Sequence, residues 1–133
     1  MTDEPPSCDL TVEPAWEPVG AGLDDLCVET AAAVLHRLGV DAAGVEIGFR
    51  FTDDAHIAAL NADWRGKPSP TDVLSFPAEE DGAPVLAGAP RLLGDVVLAY
   101  ETCRRDARAL ERPFADHVRH LLVHGLLHLF HYD

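Results

Sequence analysis

The sequence predicts an α+β fold: a single domain with a small mixed sheet of about four strands, packed with about five helices. Two observations carry that expectation. The chain has 133 residues, 47 % of them hydrophobic and 25 % charged, which suits one domain that buries a core without disulfides or a structural metal. Segments with period-2 or β-type patterning are interleaved with segments whose apolar residues recur at helical spacing. That alternation by itself also admits a doubly wound α/β domain, and strand order does not follow from it.

The alternating stretch Asp9-Leu10-Thr11-Val12-Glu13, bounded by Pro6 and Pro14, reads as an edge strand. A helix is predicted over 23–38, with Leu23, Cys27, Ala31, Val34, Leu35 and Leu38 on one face, acids in its first turns and Gly39 as its stop. Val45, Ile47, Phe49 and Phe51 alternate against Glu46, Gly48 and Arg50, the pattern of a half-buried strand. Thr52 or Asp53 then caps a short helix carrying Ile57, Leu60 and Trp64. A brief β-type run covers 71–76, a Gly/Pro/Ala-rich loop 78–90, and a further strand 92–99. An arginine-rich helix over 100–110 follows, with Ala107 and Leu110 expected to face inward. The last helix runs from Pro113 to about Phe130.

Charge and cysteine content narrow the function classes. The formal net charge is -13, which counts against a phosphate-rich partner. Its distribution is uneven: residues 1–46 hold ten acids and one base, whereas residues 47–133 hold thirteen acids and nine bases, so the second half is expected to have room for a local basic groove. Cys8, Cys27 and Cys103 are far apart and odd in number, which argues against a disulfide framework and against a thiolate zinc site, and fits a cytoplasmic protein. No apolar run reaches the ~20 residues of a membrane span, and the first thirty residues do not resemble an export signal.

Five of the seven histidines fall within the fifteen residues 117–131, in and just after the last helix: His117, His120, His124, His128 and His131. Residues four apart stack on one helix face, so His124 and His128 can turn two ring nitrogens towards one ion, while the Leu and Val residues around them imply an apolar setting. Histidines at such positions also occur simply as solvated or hydrogen-bonded side chains. The residue after His124 is Gly125 rather than the Glu that a zinc peptidase places there as general base. His120 lies about 12 Å from His128 along a helix axis, too far to share an ion with it readily.

The segment from His124-Gly125-Leu126-Leu127-His128-Leu129 to Tyr132-Asp133 resembles the C-terminal signature H-G-x-L-H-L-x-G-Y-D-H of the YbeY family of bacterial metal-dependent endoribonucleases. Two further blocks are similar to that family in the same order, Leu60-Asn61 through Trp64-Arg65-Gly66-Lys67 to Pro70-Thr71-Asp72-Val73-Leu74-Ser75-Phe76-Pro77, and Leu93-Gly94-Asp95-Val96-Val97. The resemblance favours the α+β architecture and covers residues 1–133 as one such domain. It implies Zn²⁺, one per chain, with His124 and His128 as ligands and a third His one position beyond Asp133, where the sequence given stops; His131 is a weak substitute. No organic cofactor site is expected. At position 131 the family has Gly, so a left-handed helix end is expected there, a conformation His adopts at some cost.

The resemblance also implies that Arg65 is catalytic, a planar cation for the charge that develops on a phosphoryl group. Read without it, Arg65-Gly66-Lys67 is a polar turn. Asp72 and Asp95 can orient ligands or water, or serve as capping residues, and no side chain stands out as general base. The leading expectation is a zinc-dependent endoribonuclease for single-stranded RNA, acting in 16S ribosomal RNA maturation and ribosome quality control on the small ribosomal subunit. The alternative is a non-catalytic ribosome-assembly factor with an incomplete metal site, and a zinc hydrolase of small molecules or peptides ranks third.

Overall fold

In the computed structural model, which describes residues 4–78 and 91–132, four strands form one mixed sheet. They are β1 (Ser7–Val12), β2 (Val45–Thr52), β3 (Val73–Pro77) and β4 (Arg91–Ala99), in the order β1-β2-β4-β3. β1, β2 and β4 run parallel, and β3 pairs antiparallel with β4. Around the sheet lie a 3-10 helix (Pro14–Val19) and four α-helices, α1 (Leu23–Leu38), α2 (Asp54–Arg65), α3 (Tyr100–Ala109) and α4 (Phe114–Leu129). This is the expected α+β architecture with four strands and five helices. The loop expected over 78–90 falls, from residue 79 onward, outside the described residues.

One face of the sheet is closed. Val45, Ile47, Phe49 and Phe51 of β2 meet Cys27, Ala31 and Leu35 of α1 and Leu122, Leu126 and Leu129 of α4 in one core. At roughly 25 cal/mol per Å² of apolar surface removed from water, this is the dominant favourable contribution to folding. Trp16, which no sequence pattern singled out, is its largest fully buried side chain. The 3-10 helix swings it beneath the sheet, where Nε1–H donates to the Thr52 carbonyl (2.7 Å) and the indole meets Phe51 and Tyr100 edge to face.

The opposite face is covered only at one end. There Ile57 of α2 packs on Leu74, Val97 and Ala99, a second and smaller core. A register shift between Glu46 and Ile47 leaves Leu93 as an extra residue in β4. It lets Leu93 enter the main core while Asp95 turns to the opposite face beside Gly48. Gly94 adopts φ 139°, and a Cβ there would run into the Phe76 carbonyl, so the bulge requires glycine.

One residue expected to face inward is not buried. Leu110 is exposed, because α3 ends at Ala109 and Leu110 forms its C-cap. Trp64, aligned with Ile57 by helical spacing, is 71 % exposed, because α2 runs past the part of the sheet it covers. Among the described residues no helix is long and apolar enough to cross a membrane.

Candidate active site

The uncovered part of the sheet forms the floor of a cleft of about 990 Å³. Asp9 and Thr11 of β1, Gly48 and Arg50 of β2, and Asp95 and Val97 of β4 belong to that floor by register. The end of α2 supplies Trp64 and Arg65 to its wall, β3 supplies Leu74 and Phe76, and α4 contributes His124 and His128 beyond β3.

Local chemistry explains the position of Arg65. Asp53 caps α2 by accepting from the His56 N–H (2.8 Å), and this bond with the His56 ring holds the Asp53 carboxyl below its ordinary range. Asp54 ties the first turn to α3 by accepting from the Thr102 hydroxyl (2.8 Å). At the other end, Gly66 takes the left-handed conformation (φ 69°), and its N–H returns to the Ala62 carbonyl. Buried Asn61 donates from Nδ2 to the Ser69 carbonyl (2.9 Å), pinning the turn that follows. Arg65 is therefore the last helical residue before a fixed turn, exposed at the cleft and without a hydrogen-bond or ion-pair partner among the described residues.

Gly125 explains the position of the histidines. A Cβ at 125 would lie 2.6 Å from Val96 Cγ1 and 3.3 Å from Val73 Cγ2, so only glycine lets α4 approach β3 and β4 this closely. The Ser75 hydroxyl donates to the Gly125 carbonyl (2.9 Å) and locks the contact. His124 and His128, on either side of that contact, present rings whose centroids are 4.5 Å apart. Their nitrogens make no hydrogen bond among the described residues. The expected apolar setting is corrected: His124 is exposed and His128 half-buried, because the surrounding Leu121, Leu122, Leu126 and Leu129 face the opposite side of α4.

Two adjacent, unengaged imidazoles fit a borderline metal such as zinc, which accepts nitrogen donors at about 2.0–2.1 Å. Among the described residues no group of three or more His, Cys, Asp or Glu gathers to hold an ion. His131 follows the C-cap at φ 65°, the left-handed end expected there, with its N–H bonded to the His128 carbonyl (2.9 Å), and it does not line the cleft. Neither does His120. His117 is buried in the core side of α4, with Arg112 Nη1 3.3 Å from its Nδ1 and no partner for Nε2 among the described residues. Burial, followed by the Arg112 charge, lowers its pKa below the ordinary histidine value.

Asp72 reaches the cleft, but its Oδ1 accepts from the Val73 N–H (2.8 Å), the turn-forming role. Arg50 was not singled out by sequence reasoning. Its Nε–H donates to Glu13 Oε2 (2.7 Å), which holds the Glu13 carboxyl below its ordinary range. Its place at a polar position of an alternating strand was legible, but that this position faces a cleft depends on strand order. The expected basic groove is not this cleft, whose lining has Asp9, Asp72 and Asp95 against Arg50 and Arg65. The cysteines take no part in the site: burial pushes the Cys8 thiol up to about 11 and those of Cys27 and Cys103 higher still, and all three are free.

Residues 20–133 match the family model described as Endoribonuclease YbeY. The chain is 46 % identical over 121 residues to the Endoribonuclease YbeY of Paramagnetospirillum magneticum, covering 90 % of this chain and 74 % of that protein. It is 46 % identical over 136 residues to that of Ruegeria pomeroyi, covering 94 % and 80 %. With that of Sinorhizobium medicae it shares 51 % identity over 114 residues, covering 82 % and 66 %. The fold is similar to the solution structure of TM1509 from Thermotoga maritima, with a TM-score of 0.61 at 24 % identity, over 95 % of this chain and 73 % of that one.

Proposed function

This chain belongs to the YbeY endoribonuclease family, and from that premise we propose that its cleft cleaves phosphodiester bonds of single-stranded RNA with the help of zinc. The single observation that carries the reading is convergence: Arg65, from the end of α2, lines the same cleft as His124 and His128 of α4. His124 and His128, whose ring nitrogens are unengaged among the described residues, would hold the ion. When bound, zinc supplies Lewis acidity towards a phosphoryl oxygen and makes water more acidic. Arg65 contributes a planar fork that grips two phosphoryl oxygens and orients the group for attack by water on phosphorus, with a ribose oxygen leaving. Its charge is unspent in the protein and so is available to the negative charge that grows on those oxygens.

The substrate we assign is ribosomal RNA in maturation of the 16S species, with the small ribosomal subunit as partner and ribosome quality control as the wider role. A cytoplasmic location accords with three unpaired, protonated thiols. One observation favours a second reading, a non-catalytic ribosome-assembly factor: no third candidate ligand joins the histidine pair among the described residues.

Incubation of the purified protein with a single-stranded RNA, before and after chelation and after zinc is restored, separates the two. Cleavage that stops with chelator, returns with zinc and is lost in Arg65→Ala is the expected result. RNA left intact with zinc restored, or degradation that Arg65→Ala and chelator leave unchanged, would refute the nuclease reading.

A further inference from the structure

Of the two tryptophans, Trp16 has none of its surface in solvent and Trp64 has 71 %. An indole offers 150–250 Å² for burial, so leaving one in water forfeits a substantial stabilisation. α2 does not need it: Ile57 is fully buried against Leu74, Val97 and Ala99, and Trp64 extends past that contact over the cleft. The ring has an aromatic neighbour. Phe76 meets it edge to face, with centroids 5.8 Å apart and an interplanar angle of 65°, and both rings line the cleft that holds Arg65, His124 and His128. The result is a braced, flat aromatic surface one residue before the candidate phosphate-binding arginine.

We propose that Trp64, braced by Phe76, is the platform on which one base of a single-stranded RNA stacks while an adjacent phosphate reaches Arg65. The proposal rests on the nuclease reading above and adds a binding residue to it. Charge points the same way. The chain carries a net -13, and the cleft lining has three aspartates against two arginines, so its own side chains offer a polyanion little net attraction and an uncharged contact adds usefully to affinity. Stacking on an aromatic side chain strengthens binding by about tenfold per base and tolerates any sequence. Only unpaired bases, free of their own stack, can offer a face to it, so the platform also selects single strands over duplexes.

Fluorescence tests this directly, because buried Trp16 provides a constant background and Trp64 the responsive signal. The full chain is titrated with a single-stranded oligoadenylate and with an abasic strand of equal length and charge, with affinity read independently by anisotropy of end-labelled strands. The expected result is quenching by oligoadenylate, and affinity about tenfold above that for the abasic strand. Trp64→Ala removes that preference and lowers kcat/KM for RNA cleavage about tenfold, chiefly through KM, whereas Trp64→Phe restores most of both. The salt dependence of binding is unchanged in both variants, since no phosphate contact is lost. Equal affinity for the two strands, absence of quenching, or oligoadenylate binding unaffected by Trp64→Ala would overturn the proposal. Arg65→Ala and chelation, measured in parallel, keep the two readings apart. Cleavage that depends on both while Trp64→Ala changes nothing refutes the platform alone; cleavage indifferent to both refutes the nuclease reading even where base-dependent quenching stands.

Discussion

Along β2, Val45, Ile47, Phe49 and Phe51 are each at most 3 % exposed beneath α1 and α4, while Gly48 and Arg50, which alternate with them, line an open cleft. The two faces share one backbone and differ in what covers them. Two long helices close the first face, so its side chains are apolar and their contribution is stability. A single helix closes one end of the second, and the remainder stays polar. An uncovered sheet face beside a helix end is a concave site that costs the core little, which is where binding groups accumulate. Substitutions on the closed face should therefore move the unfolding midpoint, and those on the open face should move cleavage.

The largest expected effect is on the closed face. Phe51→Ala removes a fully buried ring that packs against Trp16, and should cost about 3–5 kcal/mol in urea unfolding. Its counterpart on the open face, Arg65→Ala, should lower kcat about 10²–10³-fold, the usual cost of losing one charge-stabilising donor, and leave the urea midpoint in place. A shift in that midpoint would mean Arg65 belongs to the scaffold. Gly125→Ala probes the boundary between the two faces. Its Cβ would press on Val96 and Val73, so a loss of about 1–3 kcal/mol in stability together with weakened cleavage is expected, since α4 carries the histidines. Removing the α2 cap with Asp53→Ala should cost about 1 kcal/mol, read as a modest fall in melting temperature.

The smallest effect depends on pH. His117 has a lowered pKa in the folded chain, so its contribution to stability is fully present above the ordinary histidine value of about 6.5 and is lost as pH falls from there through the lowered folded value. Melting temperatures at pH 7.5 and 5.5 should fall further apart in the native protein than in His117→Gln. An equal fall in both would remove His117 as the cause.

Much of the closed face was legible in the sequence because periodicity reports burial. The alternation of Val45 to Phe51 and the helical spacing from Leu23 to Leu38 place those elements within a residue of the observed ones. Trp16 was not legible, because a short 3-10 helix has no periodic signature long enough to read. Nor were the exposures of Trp64 and Leu110, because spacing gives the face of a helix and not where its partner ends. For the candidate site, His124 and His128 were legible from their four-residue spacing and Arg65 through a motif block, and the structure brings all three to one cleft. Arg50 and the aromatic pair were missed, since their convergence depends on the order β1-β2-β4-β3, which local pattern does not encode.

Most direct for the claim that the open face carries the chemistry is His128→Ala, with zinc content, RNA cleavage and unfolding midpoint measured on one preparation. Zinc is expected to fall from about one ion per chain towards none, cleavage to be lost with it, and the zinc-free unfolding free energy to stay within about 0.5 kcal/mol of the zinc-free native protein's. Retention of both zinc and cleavage in the variant would contradict that claim.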